Sequence, residues 1–74
     1  MITIQDWETA CKTGTKLYFW DGDDVIPIAT SAYIQYDTTQ NMWFVHNQVW
    51  FRDIYKSKKD CAEDMMTQFK ERYL

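Results

Sequence analysis

The sequence has few of the residues that usually support catalysis, metal binding or covalent cross-linking. Its 74 residues include one histidine and two cysteines. Cys11 and Cys61 form no CxxC pair and are too few for a disulfide framework, so we expect buried free thiols in a reducing compartment. No sequence signature supplies the nucleophile and orienting acid that His46 would need as a catalytic base. We therefore predict that the protein is not an enzyme, and we assign no catalytic, cofactor-binding or metal-binding residue.

Long apolar runs and an excess of positive charge are also missing. No apolar stretch approaches the roughly 20 residues that a membrane-spanning helix requires. The segment Met1–Asp6 lacks the basic and apolar regions of a signal peptide, so we expect a cytoplasmic protein with no membrane partner. The formal net charge is −3 and the estimated pI is 4.8, which argues against nucleic acid as a partner.

The negative charge is unevenly distributed. Residues 1–40 have a net charge of −4, whereas residues 41–74 have a net charge of +1. An acidic surface in the first half of the chain leaves open, as an alternative, that the protein mimics nucleic acid.

Aromatic side chains are abundant, with 5 Tyr, 4 Trp and 4 Phe. Each has about 150–250 Å² of surface to bury. A chain of this length buries only roughly 60% of the surface that its unfolded form exposes. We therefore expect a homodimer contact or another protein to cover part of the aromatic surface.

Local patterns at the N-terminus predict a helix. Thr3 and Asp6 have the spacing of a capping box, in which each residue bonds the backbone of the other. Apolar residues then follow at helical spacing, and Gly14 suits the end of the helix. The predicted helix covers Ile4–Lys12.

Two hairpins are predicted next. The strand Lys16–Trp20 leads into the turn Asp21–Asp24, whose Asp-Gly pair is a strong hairpin signal. The long run Val25–Tyr36 follows, with a bulge near residues 30–31. Its even positions are the more apolar set, and we expect them to face the core: Ile26, Ile28, Ala32, Ile34 and Tyr36.

The second hairpin is the segment Met42–Phe51, in which the polar residues 46–48 separate two apolar arms. We expect its second arm to continue as strand through Tyr55. Ser57 and Asp60 then repeat the capping pattern and open an amphipathic helix that docks on the sheet. Its apolar face is expected to contain Cys61, Ala62, Met65, Phe69 and Tyr73, with Met66 beside them.

These elements predict a single α+β domain over residues 1–74. It has an N-terminal helix, a four-stranded antiparallel sheet that is curled or closed into a small barrel, and a C-terminal helix.

Two segments resemble small phage and bacterial proteins of unassigned function. Ile54–Ala62 combines a strand end, an aromatic residue, a Ser cap, lysines, an acidic residue and a helix start, and Leu17–Asp23 combines a Tyr-rich strand with an Asp-Gly turn. The resemblance covers about two thirds of the chain and implies an SH3-like barrel with a terminal helix. It implies no catalytic residues, because this group shares no active site. Its members are often inhibitors or adaptors of one host or virion protein, and anti-CRISPR counter-defence proteins are similar in size and acidity.

The candidate binding residues lie at the tip of the first hairpin and in the long strand. Turn chemistry alone explains the acidic cluster, but an aromatic residue beside acids also fits contact with a basic protein surface. Trp43 and Trp50 have two open interpretations, burial beneath the helices or exposure in a binding patch. We assign the contact to Trp20, Asp21, Asp23, Asp24 and Tyr33.

The sequence therefore predicts a non-enzymatic protein that binds a host or virion protein as an inhibitor or adaptor. A structural or assembly role through self-association is the alternative that the aromatic excess supports equally directly.

Overall fold

The computed structural model describes residues 2–28, 33–45 and 49–73. Its helices are α1 (Ile4–Thr13) and α2 (Lys58–Tyr73), with a short 3₁₀-helix at Phe51–Asp53. Its strands are β1 (Leu17–Trp20), β2 (Val25–Ile28), β3 (Ile34–Asp37), β4 (Met42–Val45) and β5 (Val49–Trp50). The predicted α+β class is confirmed, with helices at both ends of the described chain.

Helix α1 begins at the predicted residue, Ile4, and ends at Thr13, one residue beyond the predicted end at Lys12. The Asp6 amide donates to Thr3 Oγ1 at 3.1 Å, and the Thr3 amide donates to Asp6 Oδ2 at 2.9 Å, so the capping box is complete. Gly14 ends the helix with φ of 71°, a left-handed conformation that glycine adopts without a steric penalty. Trp7 and Ala10 are buried, and they fasten the helix to the core.

The first hairpin is also confirmed. Strands β1 and β2 are antiparallel, with Leu17 opposite Ile28 and Trp20 opposite Val25. Leu17 and Ile28 are both buried, so one end of this hairpin belongs to the core. Pro27 is exposed, as suits a residue that cannot donate to a strand ladder.

The predicted long strand Val25–Tyr36 corresponds to two strands in two sheets. Strand β2 pairs with β1, while β3 pairs with β4. Ala32 and the predicted bulge near residues 30–31 lie outside the described residues. Of the even positions that we expected in the core, Ile28 is buried, whereas Tyr36 is 45% exposed and the prediction for it is wrong. Strand β3 lies at the edge of its sheet, where a large side chain is only partly covered.

The second sheet contains β3, β4 and β5 in that order, all antiparallel. The two arms of the Met42–Phe51 hairpin are therefore confirmed, and its predicted turn at residues 46–48 lies outside the described residues. The described strands form sheets of two and three strands, and neither is closed.

The chain after Trp50 corrects one prediction. Instead of continuing as a strand, Phe51–Asp53 forms a 3₁₀-helix, and the Ile54 amide donates to the Phe51 carbonyl at 3.2 Å. In a strand, residues 51 and 54 would point to opposite faces. In a 3₁₀-helix, residues three apart share a face. Phe51 and Ile54 can thus both enter the core, where they are 2% and 0% exposed.

Beyond this turn, the backbone returns to β1. The Tyr18 amide donates to the Tyr55 carbonyl at 2.9 Å, and the Tyr55 amide donates to the Tyr18 carbonyl at 2.8 Å. This isolated antiparallel bridge connects the segment that follows the second sheet to the first sheet.

Helix α2 docks through only part of its predicted apolar face. Its cap is confirmed, because the Asp60 amide donates to Ser57 Oγ at 3.0 Å. Cys61 is fully buried, and the helix packs against β1 and β2. Ala62 and Phe69, however, are exposed. A helix of 16 residues is about 24 Å long, whereas a four-residue strand spans roughly 13 Å, so the first sheet is too short to cover the whole helix.

The core lies where α1, both sheets and the 3₁₀-helix meet. Among the described residues, nine hydrophobic side chains are buried, and all except Cys61 on α2 belong to this cluster: Ile2, Trp7, Ala10, Leu17, Ile28, Val45, Phe51, Ile54 and Cys61. Cys61 is a buried free thiol, as expected, but the prediction that Cys11 is buried is wrong because its side chain is exposed on α1. Within the described ranges, neither helix is long and apolar enough to cross a membrane.

Replacing Thr3 with alanine tests the N-terminal cap. Thr3→Ala removes the acceptor for the Asp6 amide, so we expect the free energy of unfolding in urea to fall by about 1 kcal/mol. Thr9→Ala is the matched control, because Thr9 is exposed within the same helix and alanine is the better helix former. Equal losses in the two variants would contradict the assigned cap.

The Asp6 carboxylate should make stability depend on pH. The backbone amide of Thr3 and, next, Lys56 at 3.1 Å lower the pKa of Asp6 below 3.8. A lowered pKa stabilises the folded state above about pH 4, and this contribution is lost as the pH falls through the folded-state pKa. Urea unfolding between about pH 5 and 2 should therefore show a shallower pH dependence for Asp6→Asn than for wild type, with Lys56→Met intermediate. Identical profiles for wild type and Asp6→Asn would refute this assignment.

Candidate functional site

The acidic turn between β1 and β2 is organised by its first residue. Asp21 Oδ1 accepts the amide hydrogens of Asp23 and Asp24, each at 2.9 Å, and the Asp21 amide donates to the Asp24 carbonyl at 3.1 Å. The bonds from Asp24 and then Asp23 lower the pKa of Asp21. Gly22 has φ of 111°, where a side chain would be strained. The turn is therefore a defined structure that presents Asp23 and Asp24 to solvent.

Trp20 lies immediately before this turn, at the end of β1, and is 41% exposed. It lines two neighbouring clefts of about 340 and 300 Å³ between the first hairpin and α2. Both clefts are lined by the same four residues: Trp20, Met65, Gln68 and Arg72. We call the two clefts together the Trp20 cleft. One cleft extends towards Asp53 and Tyr55, and the other extends towards Gly22 and Phe69. The sequence-predicted Trp20 and acidic turn thus adjoin an apolar part of α2.

The position of α2 beside Trp20 depends on a polar network. The Tyr55 hydroxyl donates to Asp64 Oδ2, and Gln68 Nε2 donates to the same oxygen at 3.0 Å. Burial and the bond to Asp64 raise the pKa of Tyr55 above 10.0, and burial together with Asp64 raises the pKa of the Cys61 thiol. Both groups are therefore neutral at physiological pH. The network connects α2 to the backbone segment that bridges to β1, and this fixes one wall of the cleft.

Tyr33 is not brought to this cleft. It is 67% exposed, in agreement with the outward position that its strand alternation predicts, but it lines neither of the clefts at Trp20. The structure therefore brings together Trp20 and the turn containing Asp21, Asp23 and Asp24, and it does not join Tyr33 to them.

Most of the other large aromatic residues have structural roles. Trp43 lies 6.4 Å from Phe51 between ring centroids, and Phe51 lies 5.7 Å from Trp7, both in stacked arrangements. Tyr36 contacts Trp43 edge to face at 5.2 Å. This row of rings runs from the surface of the second sheet into the core. For Trp43, the interpretation as a structural residue is therefore the better one.

Trp50 is half-buried, and its ring also contacts neighbouring side chains. It lies 5.3 Å from Phe44, the residue opposite it in the sheet, and the guanidinium of Arg52 lies 5.9 Å from the ring centroid. A cation over an aromatic face contributes roughly 0.5–1 kcal/mol at an exposed position. Trp50 thus belongs with the structural set rather than with an open patch.

Four cleft residues on α2 were not among our predicted contact residues: Met65, Gln68, Phe69 and Arg72. Helical spacing placed Met65 and Phe69 on the apolar face, and we interpreted that face as buried. The predicted strand Val25–Tyr36 was long enough to cover this face, so the sequence carried no signal that part of it would remain exposed.

Few groups with chemical reactivity converge near this site. Among residues 2–28, 33–45 and 49–73, no cluster of three His, Cys, Asp or Glu side chains has the arrangement of a metal site. His46 lies outside these ranges. The described clefts thus offer apolar and hydrogen-bonding contacts rather than an assembled set of reacting groups.

Comparisons of the chain with protein-family models, with curated proteins and with solved structures found no match.

Replacing Tyr55 with phenylalanine tests the network that positions α2. The variant removes a hydrogen bond to a partly buried carboxylate, so we expect the free energy of unfolding at pH 7 to fall by roughly 1.5 kcal/mol. Because its raised pKa favours the folded state, Tyr55 stabilises the protein below pH 10, and this contribution is lost as the pH rises above 10. Wild type should therefore lose more stability than Tyr55→Phe above pH 10.

Tyr33→Phe is the control for this experiment, because it removes a hydroxyl from an exposed ring. Urea unfolding at pH 7 should leave its stability near that of wild type. If Tyr55→Phe were as stable as wild type at pH 7 and kept the same alkaline profile, the network would have no role in fixing α2.

Proposed function

We propose that the protein binds another protein through the Trp20 cleft and the adjoining acidic turn, and that the partner presents a basic segment with an apolar anchor. The single observation that supports this most strongly is the position of Trp20. It is a 41% exposed indole between a rigid acidic turn and a cleft on α2.

Trp20 has the properties of a binding anchor. Tryptophan is over-represented among the interface residues that contribute most to binding energy, especially where a neighbouring pocket excludes water. Here Met65 lines both clefts beside Trp20 and is itself half-buried. An apolar side chain of a partner could insert beside the indole and cover surface that the small core leaves exposed.

The charge of the partner follows from the residues around the clefts. Among the described residues that line them, Arg72 is the one cation and Asp53 is the one anion. The excess negative charge therefore comes from the adjoining turn, where Asp23 and Asp24 are exposed. Complementary charge increases association rates and selects partners more than it increases affinity. A basic segment is the complementary partner.

The resemblance to small phage and bacterial proteins suggests which biological role this binding has. We propose an inhibitor or adaptor of a host or virion protein, active in the cytoplasm, with counter-defence such as anti-CRISPR activity as one example. A protein that occupies a partner's surface needs no catalytic group, which agrees with the lack of a catalytic signature in the sequence. Its proposed roles require only a stable, complementary surface.

We also propose that the two sheets form an SH3-like barrel. The hydrogen-bonded bridge between Tyr18 and Tyr55 supports this proposal, because it brings the chain that leaves the second sheet back to the first strand. A barrel of this kind would place the hairpin turn at one end, beside the C-terminal helix.

Affinity capture with matched variants tests the binding proposal. Immobilised wild-type protein, Trp20→Ala and Asp23→Asn/Asp24→Asn are incubated with bacterial lysate, and each recovered protein is then purified for titration. For the true partner, we expect Trp20→Ala to cost about 2 kcal/mol or more, which is roughly thirtyfold in dissociation constant. The double variant should slow association and reduce its dependence on salt.

Glu8→Gln/Glu71→Gln is the control for the acidic variant, because it removes two exposed carboxylates elsewhere on the surface. It should retain wild-type association rates. Asp23 and Asp24 contribute only backbone atoms to the hydrogen bonds of the turn described above, so replacing their side chains keeps the turn. Circular dichroism confirms that all variants are folded. If no recovered protein then binds wild type more tightly than Trp20→Ala, the proposal is overturned.

A further inference from the structure

Helix α2 has a stripe of exposed apolar side chains. Ala62, Met66 and Phe69 follow one another at steps of four and three residues, and position 73 continues the series with a step of four. At 3.6 residues per turn, these positions lie within about 60° of one another around the helix. Ala62 is exposed, Met66 is 60% exposed and Phe69 is 57% exposed. We call this set the α2 stripe.

The stripe is distinct from the face that docks on the fold. Cys61, which is buried, and Met65, which is half-buried, lie about 110° and 70° around the helix from the centre of the stripe. Steps of four and three residues are the spacing by which two helices pack along a shared seam. The exposed apolar positions of α2 therefore have the pattern of a helix–helix contact.

We propose that a second copy of this chain packs on the α2 stripe, with its own α2 antiparallel to the first. The arrangement has a two-fold axis between Met66 and Phe69. Met66 of each copy then lies opposite Phe69 of the other. Each copy thus contributes the same patch to the interface. Most homodimers have this arrangement, in which identical surfaces pack across a two-fold axis.

The charges beside the stripe favour this occupant and this direction. Glu63 and Lys70 flank the stripe on its outer side, and both are exposed. In the antiparallel pair, Glu63 of each copy meets Lys70 of the other, which gives two complementary contacts. In a parallel pair the same residues lie about 10 Å apart along the axis and do not meet. The chain therefore carries complementary charges for its own antiparallel copy.

Glu63 is available for this contact. Its present ion partner is Lys59 on the same helix, with 3.9 Å between Nζ and Oε1 and both side chains mostly exposed. Exposed pairs of this type contribute only roughly 0.3–0.5 kcal/mol, so exchanging Lys59 for Lys70 of the second copy costs little.

The contact is small, and this determines its expected strength. Specific, stable interfaces bury at least about 1,200 Å², and three turns of one helix from each copy fall near or below that limit. We therefore expect a dimer with a dissociation constant in the micromolar range, which sedimentation can follow between about 5 and 500 µM. Phe69 also lines one of the two clefts at Trp20, whereas Met66 lines neither. A variant at Met66 therefore tests the dimer separately from the binding proposed for the Trp20 cleft.

The first experiment places a charge in the stripe. Met66→Glu should weaken dimerisation by about tenfold or more, because a carboxylate would face an apolar ring. Thr67→Glu is the matched control, since it adds the same charge one residue away and off the stripe. We expect it to dimerise as wild type does. A wild-type protein that stays monomeric to about 500 µM, or a Met66→Glu variant that dimerises normally, would overturn the proposal.

The second experiment reads the direction of the helices. Glu63→Lys alone and Lys70→Glu alone each place like charges together, so each should dimerise more weakly than wild type. An equimolar mixture of these two variants should form a heterodimer that restores wild-type association, because every contact between the copies is again complementary. Glu71→Lys, which changes an exposed charge away from the stripe, should have no such effect alone or in mixtures. A mixture no stronger than its components would refute the antiparallel register.

Discussion

The fold depends above all on the antiparallel bridge between Tyr18 and Tyr55. Their two reciprocal backbone hydrogen bonds, of 2.9 and 2.8 Å, connect the first hairpin to the segment that leaves the second sheet. Ile54 lies between this bridge and the 3₁₀-helix and is completely buried. The side chain of Tyr55 continues the connection by bonding Asp64 on α2. One short segment therefore connects both sheets and the C-terminal helix, which forms one wall of the Trp20 cleft.

The distribution of aromatic residues explains how so small a protein can have both a core and a binding surface. The rings of Trp7, Phe51 and Trp43 stack on one another from the first helix to the second sheet. These rings fill much of the interior by contacting one another. Trp20 lies at the opposite end of the first hairpin from the buried pair Leu17 and Ile28, and it remains partly exposed. The surplus that composition alone indicated is therefore real: among the described residues, large apolar side chains are exposed at Trp20, on α2, and at Tyr33 and Tyr36.

Features determined by neighbouring residues were predictable from the sequence, and features determined by distant residues were not. The Thr3 cap, the Ser57 cap and the Asp21–Asp24 turn depend on hydrogen bonds within a few residues, and all three are confirmed. The 3₁₀-helix at Phe51–Asp53 was missed because apolar alternation looks the same in a strand and in a turn that buries residues three apart. For the site, Trp20 and the turn were identified, but the residues of α2 were not. Their exposure depends on where the sheet ends, which no local pattern records.

The Tyr18–Tyr55 bridge also has a consequence for how the chain folds. The turn of the first hairpin closes a loop of four residues, whereas the bridge joins residues that lie 37 positions apart. Loop-closure entropy grows with the logarithm of loop length, so the bridge costs about 2 kcal/mol more to close than the hairpin turn. Hairpins form within about 1–10 µs, and the long-range closure must follow once burial of Ile54 and Phe51 can offset its entropy. The same two hydrogen bonds that define the finished fold are thus expected among its last contacts to form, and α2 can take its final position only after them.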